Sequence, residues 1–532
     1  MINYWRILAL LLPVSLSGQY QFRQLNHIQG LKQEAALYDL SVDVHSSIRP
    51  LDHANIDTLA PPIEIEKGKR SWLVRKAFHE NLVKVDEKKY AFTIDPIVNF
   101  QLGQVQGAND FTYINTRGFL LQGRIGDNFT FYSTYLENQG RFPDYINNFV
   151  AQRRVVPGQG SVARGFGNNG FDYGLGAGEI SYNPNEFFTF TAGQGRNFFG
   201  EGYRSMLIGD GAFNYPFFRI ETSFWKIKYV NLWAQLYDTR LAASPERGTY
   251  AKKFLSSHYL SININSRWNI SFFEAIVTGD TAQVAGLDAS FLNPVIFYRP
   301  VEFSVGSRRG NALLGFATSY KISDGLMGYG QFILDEFSIN DLRARQGSWV
   351  NKFGWQLGLK YYNTFGLEGL FTRLEYNAVR PHTYQHREVL TNYAHYGSAF
   401  AHPWEANFHE LVVQAIYQRE RWEFDFQLNL GVRGLDSQAS NWGTNVYITY
   451  DTREQDLNNS IGQGEQGNML YGHLRLAYLV NPASGLKLEA GVRRRALTVD
   501  NPQVQTSPFL NSETTWFFGG LRTELFNRYY DF

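Results

Sequence analysis

Residues 422–430 alternate without a fault between apolar and polar positions. Trp422, Phe424, Phe426, Leu428 and Leu430 fall on one side, and Glu423, Asp425, Gln427 and Asn429 on the other. A period of two places the two sets on opposite faces of a strand. The same pattern runs through Phe119, Leu121, Gly123 and Ile125, then resumes at Phe129 and Phe131 after Gly126-Asp127-Asn128. It recurs at Leu474, Leu476 and Tyr478, which meet Leu486, Leu488 and Ala490 across Asn481-Pro482-Ala483-Ser484-Gly485. One such strand fits a soluble sandwich as well as a membrane barrel, so the connections must decide.

Short turns are expected at 126–128, 183–186, 226–227, 266–269, 323–325, 363–369, 419–421 and 481–485. Long irregular stretches separate them, at 103–112, 140–176, 196–215, 239–256, 278–310, 338–352, 381–408, 433–468 and 497–513. Regular exchange of short and long connections is the asymmetry of an outer-membrane barrel with periplasmic turns and external loops. Eight turns and nine loops require eighteen strands with both ends on the turn side; sixteen or twenty stay open. Within 433–468, residues 445–450 resemble a strand and are read as a hairpin arm inside an external loop, since a further crossing would break the parity. The last segment, with Leu521, Thr523 and Leu525 alternating with Arg522 and Glu524, predicts a final strand running on towards Phe532. A closing aromatic residue of that kind is one that barrel-assembly machinery reads.

The first residues differ. Arg6, an apolar run from Ile7 to Leu12 and the small residues Ser15 to Gly18 have the form of a signal peptide, assigned to 1–18. Residues 19–88 lack the aromatic alternation, while 31–37 and 71–83 carry helical spacing. In the latter Trp72, Val74, Phe78 and Leu82 can share a stripe. This segment is expected to be a periplasmic linker with one or two helices, or a helical unit that plugs the periplasmic mouth. The barrel is assigned to 89–532, and no apolar run is long enough for a membrane-spanning helix.

Composition sharpens this all-β reading. Aromatic residues make up 16% and charged residues only 19% of the chain, a balance suited to strands at a lipid–water interface. The net charge of +1 gives no reason to expect a nucleic-acid partner. With no cysteine, thiol catalysis, disulfides and cysteine-based zinc sites are excluded.

Candidate chemistry is sparse. Gly193 to Gly202 is rich in glycine but lacks the Lys-Ser/Thr of a phosphate loop. His382, His386, His395, His402 and His409 crowd one loop at spacings that match no metal motif. Asp335 and Glu336 are adjacent in a strand, so they point to opposite faces and cannot form an acid–base pair by themselves. No nucleophile elbow is present. These residues leave a membrane hydrolase using the Asp335/Glu336 region open without supporting it, and no cofactor or metal is expected. Three segments, 196–220, 293–303 and 378–384, mix aromatics with Arg and acids. Aromatic faces stack on sugars and guanidinium forks grip carboxylates, so Arg196, Tyr203, Arg204, Tyr298, Arg299, Glu302, Asp335, Glu336 and Arg380 are candidates to bind glycan or to fill the lumen. Mutual pairing of these charges inside the barrel is the competing reading.

Gly200-Glu-Gly-Tyr-Arg-Ser-Met-Leu, Asn214-Tyr-Pro-Phe-Phe-Arg, Phe224-Trp-Lys-Ile-Lys-Tyr-Val-Asn-Leu, Leu292-Asn-Pro-Val-Ile-Phe-Tyr-Arg-Pro-Val-Glu and Tyr329-Gly-Gln-Phe-Ile-Leu-Asp-Glu-Phe resemble Bacteroidetes outer-membrane proteins of the Wzi-like capsule-assembly superfamily. The likeness is greatest to the branch that includes the gliding-motility protein RemB. It implies an eighteen-stranded barrel with a helical periplasmic piece, located in the cell outer membrane. The implied role is non-enzymatic: assembling or attaching capsular polysaccharide or exopolysaccharide, with support for gliding or adhesion through cell-surface or motility proteins. The implied partners are surface polysaccharide and outer-membrane lipid. A porin-like channel for small solutes is the alternative, because eighteen strands enclose a lumen wide enough to conduct if open.

Overall fold

In the computed structural model, alternation of side chains along each strand has become a closed antiparallel barrel. The structure describes residues 25–29, 31–51, 70–160, 163–240, 250–279, 289–295, 310–437, 439–500 and 512–532. The signal-peptide assignment for 1–18 lies outside them, as do Tyr298, Arg299 and Glu302.

Eighteen strands form the wall: β1 (Tyr90–Val105), β2 (Phe111–Ile125), β3 (Phe129–Arg141), β4 (Gly170–Tyr182), β5 (Phe188–Gly195), β6 (Tyr215–Phe224), β7 (Ile227–Asp238), β8 (Ala251–Asn263) and β9 (Trp268–Gly279), then β10 (Gly310–Ser323), β11 (Leu326–Glu336), β12 (Lys352–Tyr362), β13 (Leu370–Val379), β14 (Phe408–Arg419), β15 (Trp422–Leu435), β16 (Glu465–Asn481), β17 (Leu486–Val499) and β18 (Ser512–Thr523). Each pairs antiparallel with its sequence neighbour, and β18 closes on β1 with Trp516 opposite Val105 and Arg522 opposite Asn99. Closure leaves every wall strand paired on both sides, the condition for crossing lipid without orphaned backbone groups. All eight expected turns join strands, and the strand ends bordering the other nine connections lie at the opposite end; the first of these, 106–110, is itself short. Among the described residues no helix is long and apolar enough to span a membrane.

Outward positions carry the apolar set. On β15, Trp422 and Phe424 are exposed, while Glu423, Asp425, Gln427 and Asn429 are buried on the lumen side. At the turn rim, exposed aromatics form a girdle that includes Trp225, Trp268, Phe365 and Trp422. Trp225 is 85% and Phe365 93% exposed to solvent in the isolated chain. Rings left bare by the protein at this level fit the headgroup zone of a bilayer.

Two sequence expectations are corrected. Residues 445–450 form no hairpin arm: the 436–464 connection is irregular apart from a short 3-10 turn at Tyr450–Thr452. The final strand does not run on to Phe532. It stops at Thr523, and 524–532 turn into the lumen, where Leu525, Tyr529, Tyr530 and Phe532 are buried. The reason lies in the register. On β17 pairing ends at Leu486 opposite Thr523, and on β1 it ends at Asn99 opposite Arg522. Below Asn99 the edge of β1 is taken by the short strand Val83–Glu87, paired with residues 90–94. A longer β18 would have no partner. Pro96, which has no N–H to give, sits where β1 changes neighbours.

Residues 25–51 also enter the lumen. They comprise helix α1 (Leu31–Glu34), a 3-10 turn Ala35–Tyr38 and the two-residue strand Ile48–Arg49, which pairs with Phe198–Phe199. This part of the N-terminal segment is therefore a plug. Helix α2 (Trp72–Phe78) lies instead at the turn rim, with none of its residues buried. On the loop side, α3 (Asp144–Arg153) packs inward through Tyr145, Ile146, Phe149 and Val150, whereas α4 (Ile339–Ala344) buries nothing.

Candidate functional site

The lumen is occupied by the chain itself: 25–51, the inward connection 196–214 and 524–532 fill it, and α3 and the 380–407 connection pack onto them through Tyr145, Tyr384 and Trp404. Polar strand faces supply their partners. Arg204, on the inward connection, is almost fully buried. Its guanidinium contacts Glu410 of β14 at 2.8 Å and Asp531 at 2.9 Å. Its Nε reaches the other Glu410 oxygen at 3.3 Å and Nη1 reaches Asp531 at 3.4 Å, so each nitrogen is engaged. Tyr203 donates its hydroxyl to Asp531 at 2.9 Å, while the backbone N–H groups of Tyr203 and Arg204 donate to Glu375 of β13 at 2.7 and 3.1 Å. A buried charge survives only with this kind of complete pairing.

Glu201 ties the N-terminal plug to the wall. It accepts from Ser46, from Tyr38 at 3.1 Å and from Lys360 of β12. Arg196 fixes the inward connection to its neighbour, donating to Asn214 at 2.7 Å, to the Asp210 carbonyl at 2.9 Å and to the Gly158 carbonyl. The glycines of 193–202 serve close packing. Gly200 has φ +150°, and a Cβ there would lie 2.5 Å from Gln331 Nε2; a Cβ on Gly202 would lie 2.5 Å from Glu375 Oε2.

At the turn end, Arg475, Lys487 and Arg522 interlace with Glu423, Asp425, Glu489 and Glu524. Arg475 meets Glu423 at 2.6 Å and Glu489 at 2.9 Å, and Lys487 meets Glu524 at 2.9 Å. Glu524 thus anchors the start of the inward tail. The tail and the N-terminal plug also bind each other: Asn527 N–H donates to the Leu25 carbonyl at 2.9 Å, and His27 N–H to Asn527 Oδ1 at 2.7 Å.

The remaining sequence candidates do not converge. Asp335 is buried and accepts Tyr384 N–H at 2.7 Å, whereas Glu336, at an irregularity in the strand pairing, pairs with Lys352 at 3.1 Å. Arg380 donates to the carbonyls of Asn351, Ser348 and Asn459, stapling three loop-side segments together. The five loop histidines disperse to separate partners, including Gln385 for His382 and Tyr376 for His409. Among the described residues no group of three or more His, Asp or Glu side chains is placed to hold a metal.

Sequence reading missed a cluster on the loop-side rim. Trp349 and Tyr450 lie with ring centroids 4.9 Å apart. Lys352 Nζ sits 4.0 Å from the centre of the Tyr450 ring, and the Arg453 guanidinium 3.9 Å from that of Trp349. Nearby, exposed Arg387 pairs with exposed Asp451 at 3.0 Å. Three loops far apart in sequence meet here, and none has a motif of its own. The one available signal was the presence of lone aromatics beside basic residues in polar loops.

Closed wall, turn-rim aromatic girdle and charge-filled lumen define an eighteen-stranded outer-membrane β-barrel carrying its own plug. No protein-family model matches the sequence, and no curated protein aligns with it. Among solved structures the chain is similar to Wzi, an outer-membrane protein involved in group 1 capsule assembly in Escherichia coli and described as a carbohydrate-binding β-barrel. Identity is 12% over 94% of this chain and 99% of that one, with a TM-score of 0.55. It is also similar to OprD of Pseudomonas aeruginosa, at 12% identity, 84% and 97% coverage and a TM-score of 0.42. For OccAB2 of Acinetobacter baumannii the values are 10%, 80%, 96% and 0.43. The likeness to Wzi establishes a shared fold, and the protein resides in the outer membrane.

Proposed function

We propose that the protein is a non-enzymatic barrel that assembles or holds polysaccharide at the cell surface, with the sugar meeting the loop-side rim. The observation that carries this reading is the state of the lumen: Arg204, a promising carboxylate-binding group, already engages all three of its guanidinium nitrogens with Glu410 and Asp531. Recognition therefore falls to groups outside the plug. The half-exposed rings of Trp349 and Tyr450, with Arg453 and Arg387 beside them, combine a stacking platform with cations suited to acidic sugars. The fold shared with carbohydrate-binding Wzi supports this reading. So does the resemblance of the Gly200, Asn293 and Gln331 segments to the capsule-assembly superfamily. Its RemB branch adds adhesion or gliding as the process served.

The test is capsule retention by cells, and retention of acidic polysaccharide by the purified barrel, with Trp349→Ala, Tyr450→Ala and Arg387→Ala variants. Loss of retention with the barrel still folded is expected. A normal capsule after gene deletion, together with no glycan retained by the intact protein, would overturn the proposal.

A channel is the second reading, favoured by the circumference of eighteen strands. It requires displacement of 196–214 or 524–532. Single-channel recording on the unmodified protein separates the two readings, since a discrete conductance would favour the channel.

A further inference from the structure

Helix α2 has its polarity turned inside out. A helix lying on a protein normally directs its apolar stripe towards that protein. Here the polar arc of Arg75, Lys76 and His79 is half-buried against the turn rim. Asn481, at the end of β16, donates to the carbonyls of Lys76 and Glu80 at 3.0 and 3.1 Å, and Arg421, in the β14–β15 turn, lies 3.3 Å from His79 Nδ1. Asn81, just beyond the helix, donates to Asp95 at 2.6 Å and to the Ala483 carbonyl at 3.3 Å. The helix is therefore fixed to the wall by its polar side.

Its other arc, Leu73, Val74, Ala77 and Phe78, is exposed, and Leu82 beyond the helix is exposed too; Trp72, expected to share this stripe, falls on the polar side at the helix start. Leu73 is 71% and Trp72 57% exposed. Such a surface is costly in water. Its surroundings supply an apolar neighbour: the strands and turns that hold α2 also present Trp422 and Tyr478, whose rings lie 5.0 Å apart in the turn-rim girdle. The apolar arc of α2 thus continues a surface already committed to lipid. Arg75 and Lys76 are paired with Glu80 at 3.1 and 3.3 Å, while Arg70 before the helix and Lys84 after it add the basic charge expected near phosphate headgroups.

We propose that α2 is an interfacial anchor that lies in the headgroup region of the periplasmic leaflet, with Leu73, Val74 and Phe78 directed into phospholipid. The occupant of the apolar face is lipid, and the anchor fixes the depth at which the first wall strand enters the membrane.

The absence of native cysteine makes the test direct. Single substitutions Leu73→Cys and Phe78→Cys in the full chain are spin-labelled and reconstituted into phospholipid nanodiscs. Leu476→Cys serves as a lipid-facing reference and Ser460→Cys as a water-exposed one. Label accessibility to oxygen and to a water-soluble nickel chelate is read by power saturation, using only protein that retains heat-modifiable migration. Sites 73 and 78 are expected to follow site 476, with an oxygen-to-nickel ratio several-fold above that of site 460. Nickel accessibility equal to that of site 460 overturns the proposal. So does shielding from both reagents, which would indicate protein contact in place of lipid.

Discussion

A single guanidinium illustrates how this lumen is held shut. Arg204 joins the inward connection to β14 through Glu410 and to the tail through Asp531. Removing one partner of a buried ion pair strands the others in a medium of low polarity, which costs about 3–5 kcal/mol. Arg204→Met is therefore expected to lower the unfolding free energy by about that amount. Urea titration followed by tryptophan fluorescence in detergent micelles would measure it; an unchanged midpoint would show the pairs to be dispensable. The residue types at this site were legible in the sequence, but their roles were not. Arg196, Tyr203 and Arg204 stood out as aromatic and charged residues in a loop. Whether Tyr203 and Arg204 faced a ligand or the protein depended on Glu375, Glu410 and Asp531, and for Arg196 on Asn214 and the Asp210 and Gly158 carbonyls, none of which the local sequence ties to them.

Among the elements, strands and turns were the most readable, because the period of two and the turn residues are local properties. The end of β18 was not. Leu521, Thr523 and Leu525 continue the alternation, yet Leu525 is buried in the lumen rather than facing lipid. What halts the strand is the register of β1 and β17, a property of neighbours. The loop-side connection 380–407 carries a further consequence. In His395 the Nδ1 atom accepts Tyr237 N–H at 3.0 Å, and in His402 it accepts Trp404 N–H at 3.0 Å, so both imidazoles are held neutral. Burial lowers their pKa values to about 3 and about 4, against the attraction of Glu410 for a proton on His402 and with repulsion from Lys253, Arg196, Arg204 and Arg433. Because the folded values lie below the unfolded value of about 6.5, the full stabilisation is present above pH 6.5 and drains away as pH falls towards 4. At pH 5 the loss is about 1–2 kcal/mol for each histidine. Hydrogen exchange across 380–407, corrected for its intrinsic pH dependence, should accelerate between pH 7.5 and pH 5. Replacing both histidines with Gln should flatten the change; equal protection at the two pH values would refute it.

For the whole molecule, the decisive property is whether a wide barrel conducts. With 25–51, 196–214 and 524–532 in place, no steady conductance is expected in planar bilayers. Deleting 524–532 removes the anchor at Glu524 and the partner of Arg204 at Asp531. The truncated barrel should then show discrete openings; silence from it would mean that the remaining inward segments suffice to seal the lumen.

The meeting of Leu25 with Asn527 inside the barrel also bears on how the protein is built. External loops must be carried across the bilayer while the wall forms. The 25–51 and 524–532 segments leave the wall on the periplasmic side, so each can enter the lumen from the compartment in which insertion begins. Sealing is thereby separable in time from insertion: the wall can close around water first and be stoppered afterwards, with no part of either stopper having to cross lipid.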